Sequence, residues 1–180
     1  MDLRVEKVRS SGRKREVQAV YTAAFPQEER MPFGLMMALS YLWHTEFLAY
    51  YDGETLCGFV YAATIGRQTF ILFFAVDEAL RSQGYGGRIL AQVQAAHPRN
   101  KIIVSIEPCG GGLPQQDLRL RRKRFYLANG YQETGYRIKL GGVTQEVLVK
   151  NGVFEKGACL RFFLLYSNLT VIPKIWRADA

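Results

Sequence analysis

A short glycine-containing stretch follows one of the most apolar segments of the chain. The segment FILFFAV, Phe70 to Val76, is followed after three residues by LRSQGYGGRIL, Leu80 to Leu90. Glycines in such a turn let backbone N–H groups converge, and the start of a following helix adds unpaired donors and the positive end of its dipole. The stretch is therefore typical of a phosphate-binding loop, although an ordinary strand-to-helix turn fits these residues alone equally well.

Residue spacing excludes two common phosphate-binding motifs. A G-x-G-x-x-G motif starting at Gly84 would need glycine where Ile89 stands, and a P-loop needs Gly-Lys-Ser/Thr, which the sequence lacks. Arg81, Gly84 and Gly86 remain, directly before an apolar pattern of helical period. These residues predict an anion-binding turn without naming the anion.

Apolar periodicity predicts the elements around this turn. Asp52-Gly53 and Gly141-Gly142 indicate hairpin turns, and Gly130 indicates the end of a helix. A helix lies between the fourth and fifth strands, which favours a parallel arrangement of that pair. The predicted order is strand Leu3–Val8, helix Arg13–Phe25, helix Gly34–Trp43, three antiparallel strands within 46–76, helix Gly86–Ala96, strand Lys101–Ile106, helix Asp117–Tyr131, a hairpin over 131–149, and a tail from Gly157 to Trp176 that fits a helix or an extended segment.

A second motif, YLANGY, places Tyr126 in the last turn of a helix, four residues before Gly130. Alone it describes a helix end that leads into a strand. The loop RSQGYG, Arg81 to Gly86, resembles the Q/R-x-x-G-x-G/A loop of the GNAT superfamily of N-acetyltransferases, and YLANGY resembles the Y-x-x-x-G-F/Y motif of that superfamily. Because the element order agrees as well, the resemblance covers roughly residues 2–150.

The resemblance implies an α/β (α+β) fold with a mixed, mostly antiparallel sheet, flanked by helices, whose strands 4 and 5 are parallel and splayed. It implies one acetyltransferase domain over 1–180, with a core of about 2–150 and a packed C-terminal extension, 151–180. Acetyl-CoA would bind with its pyrophosphate on the glycine loop and its pantetheine arm along strand 4. The implied cofactor-binding residues are Phe74, Ala75, Val76, Arg81, Ser82, Gln83, Gly84, Tyr85, Gly86, Gly87 and Arg119.

Acetyl transfer to an amine needs a proton acceptor, because a lysine-type amine with a pKa of about 10.4 is almost wholly protonated at neutral pH. Glu107, at the end of strand 5, is the first choice for this base, and it could equally be an acceptor that caps the turn before Pro108. The resemblance assigns Tyr126 as the acid for the departing CoA thiolate, and a hydroxyl that only packs or bonds locally is the structural alternative.

The loop FPQEERMPF, Phe25 to Phe33, concentrates charges between aromatic residues. This combination suits the binding of a polar acceptor on an apolar floor, or a salt-bridged surface turn. Its two glutamates are further candidates for the base. The candidate acceptor-binding residues are Glu28, Glu29, Arg30 and Phe33.

The run RLRRKR, Arg119 to Arg124, puts five basic residues in six just before the tyrosine motif. Such runs are usually solvated helix faces, and here one or two cations could meet the 3′-phosphate of CoA. The superfamily often has asparagine seven residues before the tyrosine, where this chain has Arg119. That departure puts the usual CoA contact from this helix in doubt.

The composition, with 48% hydrophobic and 22% charged residues among 180, predicts a soluble globular protein. A net charge of +8 attracts anions without choosing between nucleic acid, cofactor and substrate. Three cysteines without C-x-x-C spacing and two histidines indicate neither a disulfide framework nor a metal site. No apolar run approaches the roughly 18 residues of a membrane span, and a cytoplasmic location is expected.

The sequence therefore predicts an acetyl-CoA-dependent N-acetyltransferase that acts directly on a primary amine, with a small molecule favoured as the acceptor. A protein or peptide amine is the alternative acceptor, and a non-catalytic CoA-binding module is the alternative class. Acetyl-CoA and an amine are the expected partners, without a metal, a membrane or nucleic acid, and a homodimer is left open.

Overall fold

The computed structural model describes residues 2–42, 44–110, 112, 114, 117–167 and 171–178. The helices are α1 (Lys14–Ala24), α2 (Phe33–Leu39), α3 (Tyr85–Ala96), α4 (Leu118–Ala128) and α5 (Lys156–Tyr166). The strands are β1 (Arg4–Lys7), β2 (Thr45–Asp52), β3 (Thr55–Ile65), β4 (Gln68–Val76), β5 (Lys101–Ile106), β6 (Gln132–Leu140), β7 (Val143–Lys150) and β8 (Lys174–Arg177).

The eight strands in the described part of the chain form a sheet in the order β1-β2-β3-β4-β5-β7-β6-β8. The sheet is mostly antiparallel, β4 and β5 are parallel, and helices flank it. The mixed α/β fold predicted from the sequence is therefore confirmed. The splay between β4 and β5 stays a prediction.

The backbone groups into two compact units, which are described separately. The first unit comprises Met1–Thr64 with Ile71–Pro98, and the second comprises Ile65–Phe70 with Arg99–Ala180. The expected single domain over 1–180 stays a prediction.

The core of the first unit forms around one face of α1. Val17, Val20 and Tyr21 are spaced three and four residues apart, lie on the same face of the helix and are buried. The Tyr21 ring lies 5.9 Å from the ring of Phe59 on β3 and 5.4 Å from the ring of Phe73 on β4. Because aromatic rings bury large areas, these contacts hold α1 against the strands.

Gly58 allows β3 and β4 to approach closely where β4 ends. A Cβ atom at this position would lie 2.3 Å from the carbonyl oxygen of Ala75 and 3.1 Å from the Cα atom of Val76. The Asp77 N–H donates to the Cys57 carbonyl over 2.9 Å just beyond this point. The end of β4 is therefore fixed by a contact that no larger residue could make without a backbone shift.

The second unit is built on antiparallel pairs. β5 pairs with β7, and β6 pairs with both β7 and β8. The predicted turn between β6 and β7 is confirmed, because Gly141 and Gly142 have φ angles of 55° and 89°. α5 buries Phe162 and Phe163, whose rings lie 5.8 and 5.1 Å from the ring of Phe70.

The structure refines two predicted segments. Helix α2 ends at Leu39, earlier than predicted, where the Ser40 hydroxyl donates to the Met37 carbonyl over 2.6 Å, and Trp43 lies outside the described residues. The tail contains both forms left open by the sequence, a helix (α5) and then a strand (β8), and Leu169 of the predicted helix lies outside the described residues.

None of the described helices has the length and apolar character that crossing a bilayer requires.

Candidate active site

The turn between β4 and α3 has the backbone shape of an anion-binding loop. Gly84 precedes α3 with φ of 84°, and Ser82 also has a positive φ, 64°. The Arg88 N–H donates to the Gly84 carbonyl over 3.2 Å, which leaves the earlier N–H groups of α3 ahead of the helical hydrogen-bond pattern. Arg81 to Gly84 are exposed. These donors can hold an oxyanion at the positive end of the helix.

Local hydrogen bonds shape the approach to this loop. The Asp77 carboxylate accepts from the Ala79 N–H over 3.0 Å and begins a short 3-10 turn, Glu78–Leu80. The Gln83 amide nitrogen donates to the Ala79 carbonyl over 3.0 Å. The Gln83 side chain is thus bound back onto the turn, and the main chain of the loop stays exposed.

Asp52, the last residue of β2, holds the start of α3. Its carboxylate accepts from the Tyr85 hydroxyl over 3.0 Å and lies 3.3 Å from the Arg88 guanidinium. The Tyr85 hydrogen bond, followed by the Arg88 hydrogen bond, lowers the pKa of Asp52. Tyr85 can therefore offer its main chain to a ligand while its side chain is bound elsewhere.

A cleft of about 630 Å³ lies beside the loop within the first unit. α1, the β2–β3 turn and the segment from Val76 to Arg81 line it. Its walls carry both charges, because Arg81 lies 3.6 Å from Glu78 and Arg13 lies 2.7 Å from Glu16. Ala19, Val20 and Leu80 add apolar surface. The cleft is large enough for part of a nucleotide-sized ligand.

The predicted acceptor loop is held by Tyr21. The Tyr21 hydroxyl donates to the Met31 carbonyl over 3.0 Å and accepts from the Met31 N–H over 2.8 Å. Burial, the largest influence, raises the pKa of Tyr21, and the hydrogen bond to Met31 and the charge of Arg30 oppose that rise. The rings of Phe25 and Phe33 lie 5.4 and 6.3 Å from that of Tyr21, as an apolar floor would require. Glu28 and Glu29 lie in a 3-10 turn, Gln27–Glu29.

In the second unit, Tyr126 lies buried in the last turn of α4. Its ring makes edge contacts with the rings of Phe125 at 5.3 Å and Tyr131 at 5.2 Å. Burial raises the pKa of Tyr126 to about 12, and the Arg122 guanidinium opposes that rise. The hydroxyl therefore keeps its proton at neutral pH and can act as a hydrogen-bond donor.

Glu107, the predicted base, follows β5 and is bound to α4. Its carboxylate lies 3.0 Å from Arg122, and 39% of its side chain remains exposed. Arg122 stands one helical turn before Tyr126, so the structure brings both predicted catalytic residues next to the same guanidinium. A base at this position would share its carboxylate with Arg122.

Arg119 is bound within its own turn of α4. Its Nε and Nη2 donate to the two carboxylate oxygens of Asp117 over 3.0 and 2.8 Å. This pairing holds the pKa of Asp117 at about 2. A phosphate at Arg119 would have to share the guanidinium with Asp117 or displace that carboxylate.

Three charged residues beyond those predicted belong to the same part of the second unit. Lys123 binds Glu133 over 2.8 Å and Glu146 over 3.2 Å, and the side chains of Lys123 and Glu146 are only 15% and 17% exposed.

Burial first, and the Glu146 carboxylate next, raise the pKa of Cys109, so its thiol is poorly suited to act as a nucleophile. Sequence reasoning missed Glu146 because one glutamate in an alternating strand gives no signal of its partner on α4.

The structure therefore groups the predicted site residues into two sets. The first unit holds the candidate cofactor loop, the end of β4 and the candidate acceptor loop, whereas the second holds Tyr126, Glu107 and Arg119. Among the residues that the structure describes, no three His, Cys, Asp or Glu side chains are grouped so as to hold a metal ion.

Three solved structures with a similar fold bear the names of acetyltransferases. An acetyltransferase from the GNAT family of Bacteroides thetaiotaomicron has a TM-score of 0.72, 18% identity, and coverage of 91% of this chain and 96% of its own. The ribosomal-protein-S18-alanine N-acetyltransferase of Escherichia coli has a TM-score of 0.62 at 10% identity, with 85% of this chain and 96% of its own covered. An aminoglycoside 6′-N-acetyltransferase complexed with coenzyme A has a TM-score of 0.63 at 17% identity, with 82% and 96% covered. These identities establish the likeness of fold alone.

The match to a family model defines the class of this chain as GNAT-type acetyltransferases. The family model described as an acetyltransferase (GNAT) domain matches residues 43–133, which are 91 of the 180 residues. The chain belongs to this family, as its two sequence motifs predicted. No curated protein matches the chain significantly.

Proposed function

We propose that this protein is an N-acetyltransferase that transfers the acetyl group of acetyl-CoA directly to a primary amine. The observation that carries the proposal is the loop from Arg81 to Gly87, exposed from Arg81 to Gly84, whose two left-handed residues lead into the N-terminus of α3 in a chain of the GNAT family. Such a loop suits a pyrophosphate, the anionic centre of CoA. Structural neighbours in complex with coenzyme A support the same ligand.

The main chain of the first unit would bind the cosubstrate. The N–H groups from Ser82 to Gly87 would hold the pyrophosphate, with Arg81 at the edge of the loop, and the main chain from Phe74 to Val76 would hold the pantetheine arm. Acetyl-CoA supplies the activated acetyl group when it is bound. Close contact with Gly58 fixes this end of β4, so its main chain is positioned before a ligand arrives.

Tyr126 would donate a hydrogen bond to the CoA sulfur as it leaves. A thiol with a pKa of about 8.5 is a stronger acid than a phenol with a pKa of about 12, so complete proton transfer from Tyr126 to the thiolate is uphill. A hydrogen bond to the developing thiolate nevertheless lowers its energy, and this is the role that burial of a protonated tyrosine favours.

Glu107 would receive the proton of the amine, directly or through water. Its partly exposed carboxylate can exchange protons with solvent, and its bond to Arg122 fixes its position. Removal of the proton makes the amine a nucleophile, and the aromatic acceptor loop around Tyr21 favours a small amine. A protein amine is the other acceptor that this surface could take.

The deciding experiment measures release of free CoA thiol from acetyl-CoA with polyamines, amino acids, aminoglycosides and peptides, together with thermal stabilisation by acetyl-CoA. We expect stabilisation, and thiol release with at least one amine class. Stabilisation without release across the panel would support a non-catalytic CoA-binding module. Absence of both would refute the proposal.

A further inference from the structure

A second, smaller pocket of about 250 Å³ lies in the first unit beside the acceptor loop. The rings of Tyr21 and Phe33 form part of its wall, and Gln18, Thr22 and Gln27 add neutral polar groups. Among the described residues that line it, Arg30 alone carries a charge. The pocket therefore offers one cation within an otherwise neutral lining.

The Arg30 guanidinium lacks a full set of polar partners in the part of the chain that the structure describes. Its Nε is buried without a hydrogen-bond partner, and within the described residues no carboxylate lies within 4.0 Å of it, although Glu28 and Glu29 directly precede it. An arginine cannot lose its charge in a protein, and a buried donor without a partner costs free energy. A ligand that supplied an anionic oxygen at this position would remove that cost.

Aromatic contacts connect this pocket to the end of β4. Tyr21 binds the main chain of Met31 next to Arg30, and its ring lies 5.4 Å from the ring of Phe73. Phe73 directly precedes the segment Phe74–Val76 that is proposed to hold the pantetheine arm. Contacts of Tyr21 and Phe73 thus connect the main chain next to Arg30 with the residue that precedes this segment.

We propose that Arg30 binds a carboxylate carried by the acceptor, so that the acceptors are amines with a carboxylate several bonds away from the amino group. This inference rests on the proposed acetyl transfer to an amine. A carboxylate fits better than a phosphate, because one guanidinium balances one negative charge and matches the two oxygens of a carboxylate. Two rings, those of Tyr21 and Phe73, lie along the contacts from Arg30 to β4, and for this reason the proposal places the carboxylate farther from the amine than in glycine.

The test compares acceptors that differ only in charge. The specificity constant kcat/KM is measured in the wild type and in Arg30→Gln for two pairs of acceptors. One pair is 6-aminohexanoate and 6-aminohexanamide, and the other is 4-aminobutyrate and its amide. Arg15→Gln is the matched control, because it removes the same charge from an exposed position of α1. Binding of 6-aminohexanoate to the CoA-loaded protein is followed separately by saturation-transfer NMR, and the acetyl-CoA affinity of each variant by calorimetry.

We expect the wild type to prefer each carboxylate over its amide by about tenfold or more, as a hydrogen bond between charged groups allows. Arg30→Gln should abolish this preference and the NMR signal of 6-aminohexanoate, with unchanged acetyl-CoA affinity, and Arg15→Gln should keep both. Acetyl transfer without a carboxylate preference, or with a preference that survives in Arg30→Gln, would overturn the inference and leave the transferase function intact. Acetyl-CoA binding without transfer would overturn the transferase function, and the NMR signal and its loss in Arg30→Gln would then decide the carboxylate site.

Discussion

Two positions of the first unit, the start of α3 and Arg30, differ from α4 of the second unit in how their polar groups are occupied. In the first unit, α3 begins with N–H groups ahead of the helical pattern, and Arg30 has no carboxylate within 4.0 Å among the described residues. In the second unit, three cations of α4, Arg119, Arg122 and Lys123, bind carboxylates on neighbouring segments. The carboxylates bound to α4 are Glu107, Asp117, Glu133 and Glu146.

This difference separates binding from positioning. Binding of an anion to donors that lack a partner lowers the free energy of the complex. An ion pair that already exists is stabilised little by a second anion. The start of α3 and Arg30 are therefore the positions of the first unit prepared to receive anionic ligands. The second unit holds Glu107 next to the guanidinium that also acts on Tyr126, which suits side chains that must keep a fixed geometry.

The largest effect should follow from Tyr126→Phe, which tests the positioning role of the second unit. Loss of the hydroxyl should lower kcat by about 100-fold, because a positioned proton or hydrogen-bond donor contributes roughly 10² to 10⁴ to a rate. Acetyl-CoA affinity should remain unchanged, since the loop of the first unit is intact. Steady-state rates and calorimetry measure the two quantities.

Tyr131→Phe is the matched control for that variant. It removes another buried hydroxyl whose ring lies 5.2 Å from that of Tyr126, and burial raises the pKa of Tyr131 as well. Its turnover should stay within a few-fold of the wild type. Equal losses in both variants would mean that the hydroxyl of Tyr126 acts only through packing of this pair.

A smaller effect, on affinity, should follow from Gly84→Ala, which tests the binding role of the first unit. Space is available for the methyl group, but φ of 84° is unfavourable for alanine by about 1–2 kcal/mol. Relaxation of that strain would misdirect the N–H groups of the loop and weaken acetyl-CoA binding about tenfold by calorimetry. Gly141→Ala, also at positive φ and in open space, should lose similar stability without weakening acetyl-CoA binding.

The sequence predicted what depends on local patterns. Apolar periodicity and turn glycines located the strands, the helices and the hairpin at Gly141, and the spacing of Gly84 and Gly86 indicated the loop. The partners of charged side chains could not be predicted, because they depend on which segments fold beside each other. The run Arg119 to Arg124 gave no indication that Lys123 would bind two glutamates, one on β6 and one on β7. Likewise, the loop Phe25 to Phe33 gave no indication that the Nε atom of Arg30 would be buried without a hydrogen-bond partner.

The smallest effect concerns the ion pair between Asp117 and Arg119, and it tests whether pairs on α4 serve structure. The folded protein holds the pKa of Asp117 at about 2, below its ordinary 3.8, so the pair stabilises the fold fully above pH 4 and loses this contribution as the pH falls through 2. In Arg119→Gln the carboxylate should titrate nearer its ordinary pKa, and the free energy of unfolding should fall less steeply between pH 4 and pH 2. Denaturant unfolding at several pH values measures that slope. Because Arg121→Gln removes an equal charge from the same helix and leaves this pair intact, it should keep the wild-type slope, and an equal change in both variants would reduce the effect to net charge alone.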